Sequence, residues 1–396
     1  MTYNFDEVIS RLNTNSIKYD FAKEFNKPTD LLPLWVADMD FKTPTEVTTA
    51  LMESVSHGIY GYTDAKEDYY EAIIKWFSSH YQYEVCKEWF VITPGIVFAI
   101  STAIKAFTNE HDSILIQRPV YAPFTNTVVK NNRTLINNPL KFENDKYIID
   151  FEDFEKKIID HQVKLFIFCN PHNPVGRVWT KEELMQIGTI CCKHNVLIVS
   201  DEIHADFIYP PHKHICLASL STAIKNITIS CFSPTKTFNI AGLQISNILI
   251  ANKELRLKFE NELMKIGHSH CNSFSYVAST AAYTYGDNWL NELKQYLKGN
   301  IDFMASYLKE HLPKIKFVQP EGTYLAWLDF NDYQLTAEEL EHYITKKAKL
   351  WLNSGEIFGP EGKGFQRVNF ACPRSVLAKA LEQLKNAFDD LENSSL

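Results

Sequence analysis

The sequence predicts an α/β protein whose mostly parallel sheet is covered by helices on both faces. Short apolar runs rich in β-branched and aromatic residues recur along the middle of the chain, and segments of helical spacing lie between several of them. The runs span residues 89–93, 113–117, 163–169, 196–200, 227–231 and 245–250. Strands that are apolar on both faces and alternate with helices are typical of parallel sheets buried between two helical layers.

The clearest helix between these strands is predicted over residues 181–195. Thr180 precedes it and Glu183 follows three residues later, which is the spacing of a capping box. One face of this helix is apolar and consists of Leu184, Ile187, Ile190 and Cys191. A second, more apolar helix is expected over residues 98–107, shortly after the first strand.

From about residue 286 the pattern changes and predicts a second, smaller α+β domain. Helices are expected over residues 288–312, 337–347 and 375–391, and strands over residues 317–318, 324–330 and 367–371. The first 45 residues contain three prolines and no strong periodicity, so we expect them to wrap around the molecule and pack with the small domain. The predicted parts are an N-terminal segment of residues 1–45, a large domain of residues 46–285 and a small C-terminal domain of residues 286–396.

Composition and charge exclude several classes of function. The 396 residues carry 40 Lys plus Arg against 48 Asp plus Glu, and the net charge of −8 argues against broad nucleic-acid binding, which needs a cationic surface. No apolar run reaches the ~18 residues of a membrane-spanning helix, and the first residues lack the basic flank and apolar stretch of a secretion signal. The eight cysteines include no C-x-x-C pair, so we expect a reduced, cytoplasmic protein.

The sequence disfavours two further kinds of site, a metal site and a dinucleotide-binding site. His268, His270 and Cys271 are potential metal ligands, but no matching second pair follows, so a loop or helix surface and no bound metal are expected. The chain has no G-x-G-x-x-G, and its 14 glycines are few, which disfavours a dinucleotide-binding protein.

Polar segments follow three of the predicted strands, at residues 170–177, 201–206 and 232–239. Ligands of open α/β sheets bind beyond the carboxyl ends of strands, so Asn173, Asp201 and Lys236 can face one crevice. Each also has a plain structural interpretation, because Asp201 can cap a turn, Lys236 can be a solvated surface lysine, and the Asn-Pro-rich segment can be a simple turn. A desolvated lysine, by contrast, has a lowered pKa and is a nucleophile towards carbonyl carbons.

In combination these segments resemble a known set of signatures. N-P-H-N-P-x-G at residues 170–176, S-D-E-I-H at 200–204 and S-x-x-K-T-F-N at 233–239 are similar to those of the fold-type I enzymes that use pyridoxal 5′-phosphate (PLP), in the aminotransferase class I/II superfamily. The resemblance covers nearly the whole chain and includes residues 35–41, 60–62, 93–97, 119–121 and 372–375. It is strongest to the cystathionine β-lyase or cysteine-S-conjugate β-lyase branch, and it implies a PLP-dependent transferase-like fold with a mostly parallel seven-stranded sheet.

The resemblance assigns the groups around the PLP ring. Lys236 binds the cofactor's aldehyde and, once a substrate amine has replaced it, acts as general base at Cα. Asp201 keeps the pyridine nitrogen protonated by Coulomb attraction. Asn173 donates to the 3′ oxygen of the ring, and Tyr121 stacks on its face.

The resemblance also assigns the phosphate contacts, to backbone N–H groups at the start of a helix and to one hydroxyl group. These residues are Gly95, Ile96, Val97 and Ser233. For Gly95 taken alone, a strand–helix turn without a ligand is an equal alternative. Tyr62 matches the residue that reaches the phosphate of a neighbouring subunit, with Tyr60 as the near alternative, so a homodimer with shared active sites is implied.

A small amino-acid substrate is implied as well. Arg374 matches the family's arginine for the α-carboxylate, and its alternative is a rim salt bridge at the start of the last helix. Ala37 matches the small residue whose backbone approaches the substrate. Two positions depart from the common aminotransferase pattern: His204 stands where many relatives carry a phenol that contacts the cofactor, and Gln244 stands where many carry a phosphate-binding arginine. A histidine at position 204 favours the β-lyase branch.

The function that this resemblance implies is β-elimination from L-cystathionine or related cysteine S-conjugates, which releases a thiol such as homocysteine, pyruvate and ammonia. The alternative is an aminotransferase of amino acids, which would use the same cofactor residues. A third hypothesis is a PLP-holding regulator that acts through a partner protein, although no feature of the sequence indicates a partner surface.

Overall fold

The computed structural model describes residues 3–394. The helices are α1 Ile17–Asp20, α2 Thr45–His57, α3 Glu67–Trp76, α4 Ile96–Phe107, α5 Ala122–Lys130, α6 Phe151–Asp160, α7 Lys181–His194, α8 Thr222–Asn226, α9 Pro234–Thr237, α10 Lys253–Lys265, α11 Ser273–Tyr285, α12 Asp287–His311, α13 Ala337–His342 and α14 Arg374–Ser394. The strands are β1 Leu32–Pro33, β2 Phe90–Thr93, β3 Ser113–Ile116, β4 Thr134–Asn137, β5 Lys141–Glu143, β6 Lys146–Ile148, β7 Leu165–Cys169, β8 Leu197–Asp201, β9 Thr228–Phe232, β10 Ser246–Leu249, β11 Lys316–Val318, β12 Leu325–Asp329, β13 Leu350–Trp351, β14 Asn353–Ser354 and β15 Phe365–Asn369. Within residues 3–394, no helix combines the length and the apolar character that a membrane crossing requires.

The largest sheet has seven strands in the order β2-β10-β9-β8-β7-β3-β4. Neighbours from β9 to β4 are parallel, and β10 is antiparallel to both β2 and β9. The mostly parallel, seven-stranded sheet is therefore confirmed. Strand β4 was not predicted, because only Ile136 of its four residues is buried and the run lacks the two-sided apolar pattern.

The central strands are buried on both faces because alternate residues enter two different cores. In β7, Leu165 and Ile167 pack in the core that includes α4. Phe166 and Phe168 pack on the other side, in the core that includes α7. This two-residue alternation is the reason that β7 reads as a continuous apolar run in the sequence.

The capping box of α7 is confirmed by its hydrogen bonds. The Thr180 hydroxyl accepts from the Glu183 backbone N–H at 3.2 Å, and the Glu183 carboxylate accepts from the Thr180 N–H at 2.7 Å. The helix ends one residue earlier than predicted, because Asn195 adopts a left-handed conformation with φ of 55°.

The C-terminal part contains an antiparallel sheet in the order β11-β12-β15-β14 together with α12, α13 and α14, in agreement with the predicted α+β character. The N-terminal segment contacts this part, since Leu32 pairs with Leu350 and the Asn369 amide donates to the carbonyl groups of Val36 and Asp38. The division of the chain into three parts at residues 45 and 285 stays a prediction.

Three neighbouring strands end at one edge of the large sheet. Cys169 of β7 pairs with Asp201 of β8, and Asp201 pairs with Cys231 of β9. The segments that follow these strands therefore start side by side, as expected for parallel strands.

Candidate active site

A cavity of about 210 Å³ lies where β7, β8 and β9 end. The predicted site residues that line it are Ala37, Tyr121, Asn173, Asp201, His204 and Lys236, together with residues 95–97 at the start of α4. These residues come from six separate stretches of the chain, and the fold brings them to one place.

Lys236 is carried by the single turn of α9. Its Nζ donates to the carbonyl oxygen of Ala37 at 2.6 Å. Burial of the ammonium group lowers its pKa to about 8, and the charge of Arg367 also lowers it. The charges of Asp38 and Asp201 raise the pKa and only partly offset this. A substantial neutral fraction of this amine near neutral pH makes it a nucleophile.

Asp201 is the last residue of β8 and is buried. Its Oδ1 accepts a hydrogen bond from the Ile203 N–H at 3.1 Å. Desolvation raises the pKa of this carboxyl to about 7, and the neighbouring Glu202 adds to the rise, while Lys236 opposes it. Because the buried negative charge of Asp201 is only weakly stabilised by its neighbours, a cation placed beside the carboxylate stabilises it.

His204 is buried in the cavity wall, and its ring meets Tyr324 edge-on at 5.6 Å. Burial lowers the pKa of the imidazole to about 3, and the charges of Lys236 and Arg367 lower it further, so the ring is neutral. Its buried Nδ1 has no hydrogen-bond partner within residues 3–394 and is available to a ligand.

Asn173 is held by Arg367, which is not among the predicted site residues. Nη1 of Arg367 donates to Asn173 Oδ1 at 2.9 Å, and Nη2 donates to the Trp35 carbonyl oxygen and to Asn353 Oδ1. Because Asn173 Oδ1 is an acceptor here, its amide nitrogen is the atom left to donate to a ligand. Arg367 Nε is buried and has no partner in the described part of the chain.

The structure does not bring Arg374 to the wall of the cavity, and its predicted role in carboxylate binding stays a prediction. Arg374 begins α14, where its Nε donates to Asn300 Oδ1 at 2.6 Å and its guanidinium group lies 5.0 Å from the centre of the Phe303 ring. Arg367 instead lies beside Asn173, where desolvation lowers the pKa of its guanidinium to about 10. A charged residue at the start of the predicted strand 367–371 was the signal that could have identified Arg367.

The start of α4 faces the cavity. Gly95 is the residue before the helix, and the first N–H groups of α4 have no acceptor within the helix. Gly95, Ile96 and Val97 line the cavity, and a Cβ added to Gly95 would meet no atom of other residues within 4 Å. Such a site is suited to an anion.

Other predicted phosphate contacts are not brought to the cavity wall of the single chain. The Ser233 hydroxyl donates to the Ile245 carbonyl oxygen at 2.6 Å and accepts from the Thr235 N–H, so its one proton is directed away from a phosphate. Tyr62 is fully exposed, and Tyr60 packs edge-on against Phe274. Gln244 is exposed at the end of a short turn.

The predicted absence of a metal stays a prediction. His268 and Cys271 are half-buried and His270 is exposed. A different group, Glu202, His214 and Cys216, brings one potential ligand atom each within 4.8 Å of one another, and His214 Nε2 lies 2.7 Å from Glu202 Oε2.

The residues present fit PLP. The aldehyde has a nucleophilic amine in Lys236, and the ring nitrogen has a poorly compensated carboxyl in Asp201. The phosphate has the open start of α4. These three groups border the same cavity.

Comparison with known proteins decides the family. The model of the family "Aminotransferase class I and II" matches residues 29–384. The chain belongs to this family. Cystathionine beta-lyase PatB of Bacillus subtilis (strain 168) is 44% identical, over 97% of this chain and 99% of its own length. Protein MalY of Escherichia coli (strain K12) is 30% identical, over 97% of this chain and 98% of its own length.

Two solved structures have the same fold as this chain. Cystalysin from Treponema denticola, which contains a pyridoxal 5′-phosphate cofactor, superposes with a TM-score of 0.95 at 35% identity, over 99% of this chain and 100% of its own. A PLP-bound putative aminotransferase from Clostridium difficile 630 superposes with a TM-score of 0.95 at 47% identity, over 97% of this chain and 99% of its own. The predicted PLP-dependent transferase-like fold is therefore confirmed.

Proposed function

We propose that the protein is a PLP-dependent C–S β-lyase that cleaves L-cystathionine or related cysteine S-conjugates to a thiol such as homocysteine, pyruvate and ammonia. The observation that carries the proposal is the meeting of Lys236, Asp201 and Asn173 in one cavity at the carboxyl edge of the sheet. The relative named cystathionine beta-lyase PatB, matched along nearly its whole length, supports the choice of reaction.

When bound, PLP supplies a cationic ring that stabilises negative charge at Cα of the substrate. We assign the ring contacts to three residues. Asp201 holds the proton on the pyridine nitrogen, and Asn173 donates its amide to the 3′ oxygen. Tyr121 packs against the ring face, and burial raises the pKa of its hydroxyl, so the phenol stays neutral.

Lys236 is proposed as the group that moves the proton. Its amine donates to the carbonyl oxygen of Ala37, and both residues line the cavity, so the amine is within reach of a substrate bound there. With a pKa near 8, the amine takes up a proton from carbon and gives it up again within the physiological pH range.

Arg367 is proposed as the residue that binds the substrate α-carboxylate, in place of Arg374. Three of its hydrogen bonds hold the guanidinium plane beside Asn173, and the unpartnered Nε offers a further donor. A fixed, planar guanidinium group binds a carboxylate through two parallel hydrogen bonds. The Ala37 backbone and His204 border the remaining space.

Product analysis tests the proposed reaction directly. The purified holoenzyme is incubated with L-cystathionine and no added 2-oxo acid, and pyruvate is measured with lactate dehydrogenase. We expect release of pyruvate and homocysteine in equal amounts, and Lys236→Ala is the inactive control. Absence of pyruvate would reject the lyase, and rapid amino transfer to an added 2-oxo acid would establish the aminotransferase instead.

We propose further that two copies of the chain share their active sites, with Tyr62 of each reaching the other's phosphate. Tyr62 and the nearby Ile59 and Met52 are strongly exposed in the single chain, which leaves an apolar surface without cover. Mixing Lys236→Ala subunits with Tyr62→Ala subunits restores about a quarter of wild-type activity if the sites are shared, because half of the dimers are mixed and each has one intact site. Activity that stays at the mean of the two variants contradicts sharing. The cytoplasmic location stays a prediction from the sequence.

A further inference from the structure

A buried carboxyl group that the proposed reaction does not use contacts Thr237, the residue that follows Lys236. Asp206 follows β8 and is 7% exposed. The Trp76 indole and the Tyr81 hydroxyl donate to its Oδ1 at 3.0 and 2.5 Å. The Thr237 hydroxyl donates to its Oδ2 at 2.6 Å. All three neighbours donate, so both oxygens of the Asp206 carboxyl group serve as hydrogen-bond acceptors.

The Oδ1 side of Asp206 is fixed to a rigid part of the molecule. Trp76 ends α3, and its ring packs edge-on against Phe238 and Tyr283 at 5.5 and 5.4 Å. Burial, with help from the charge of Asp206, raises the pKa of the Tyr81 hydroxyl well above its usual value, so this group keeps its proton and remains a donor. Asp206 Oδ1 is therefore held by a packed aromatic cluster, whereas Oδ2 accepts from Thr237 on a different element.

The Oδ2 side holds the turn that carries Lys236. Thr237 is the last residue of α9 and the direct neighbour of Lys236. The start of the same turn is held by Ser233, whose hydroxyl bonds to the Ile245 carbonyl oxygen and caps the Thr235 N–H. Hydrogen bonds at both ends of a four-residue turn leave it little freedom to rotate. A rotation of this turn would move the end of the long Lys236 side chain through the cavity.

We propose that Asp206 is a positioning residue for Lys236, acting through the Thr237 hydroxyl to fix the direction from which the lysine amine enters the cavity. The proposal rests on the proposed function, because it concerns the lysine that binds the cofactor. At 2.6 Å, the contact between the Thr237 hydroxyl and Asp206 Oδ2 is at the short end of the range for O–H···O hydrogen bonds. Misplacement of a catalytic group by about 1 Å lowers a rate by about 100-fold.

Three threonine variants test the proposal. Thr237→Val keeps the side-chain shape and removes the donor, whereas Thr237→Ser keeps the donor. Thr228→Val is the matched control, because Thr228 is equally buried and its hydroxyl donates to the Ile224 carbonyl oxygen at 2.7 Å, away from α9. The readouts are the dissociation constant of PLP from the apoenzyme, measured by tryptophan fluorescence, and kcat and KM for pyruvate release.

We expect Thr237→Val to weaken PLP binding by about tenfold and to lower kcat by about 10- to 100-fold, with KM changed by less than about twofold. Thr237→Ser and Thr228→Val should resemble the wild type in all three values. Equal losses in Thr237→Val and Thr228→Val, or no loss in Thr237→Val, overturn the proposal. If the wild type binds PLP but releases no pyruvate, the proposed function fails, while the PLP affinities of the Thr237 variants still test the contact between Thr237 and Asp206.

Discussion

Arg367 and Arg374 should respond in opposite ways when each is substituted, because their surroundings differ. Arg367 is 6% exposed, and its guanidinium group is held beside Asn173, with Nε unpartnered within residues 3–394. Desolvation lowers its pKa to about 10, which means that its charge is poorly compensated before substrate binds. Arg374 already has a partner in Asn300 and lies over the Phe303 ring. Only Arg367 should therefore gain from a carboxylate.

The perturbation is Arg367→Lys, which keeps the positive charge and removes the planar fork of donors. A hydrogen bond to a charged group contributes about 1.5–3 kcal/mol, so loss of one of two parallel bonds lowers kcat/KM by about 10- to 100-fold. We expect most of this loss in KM, because the carboxylate is held equally in the ground state and the transition state.

The assay is the rate of pyruvate release over a range of L-cystathionine concentrations, with thermal unfolding to show that each variant is folded. Arg374→Lys is the matched control, and its KM should stay within about twofold of the wild type because its guanidinium is bound to Asn300 and lies over the Phe303 ring. A folded Arg374→Lys variant with a KM raised as much as that of Arg367→Lys would refute the reasoning.

Three further predictions concern pH, charge and packing. Because burial lowers the Lys236 pKa to about 8, the amine loses its proton as the pH rises from about 7 to about 9, and the apoenzyme should take up PLP faster over this range. Stopped-flow absorbance measures the rate of uptake, and a rate that does not depend on pH contradicts the prediction. Asp201→Asn removes the charge that holds the ring nitrogen's proton, so the variant should lose PLP on dialysis at least about tenfold faster than the wild type. Gly355→Ala should lower the free energy of unfolding by at least about 2 kcal/mol, because the added Cβ would lie 2.0 Å from the Gly362 carbonyl oxygen. Gly242→Ala is the control, because its Cβ would have no atom within 4 Å, and it should leave the unfolding temperature unchanged.

The central strands could be predicted because they are buried on both faces. All five residues of β7 are buried, so the strand is a continuous apolar run that can be recognised from the sequence alone. Strand β4 has an exposed residue, two half-buried residues and one buried residue, and it could not be told from a loop. Its place at the edge of the sheet is the reason, since an edge strand needs no apolar cover on both faces.

The sequence by itself determined that Asn173, Asp201 and Lys236 would meet, because the carboxyl ends of adjacent parallel strands lie at one edge of a sheet whatever the details of packing. Only the tertiary structure decided which arginine accompanies them. Arg367 and Arg374 are seven residues apart, and their directions depend on the pairing of β15 with β12 and β14 and on the contact of α14 with α12. Those contacts join residues far apart in the chain, so no local pattern could specify them.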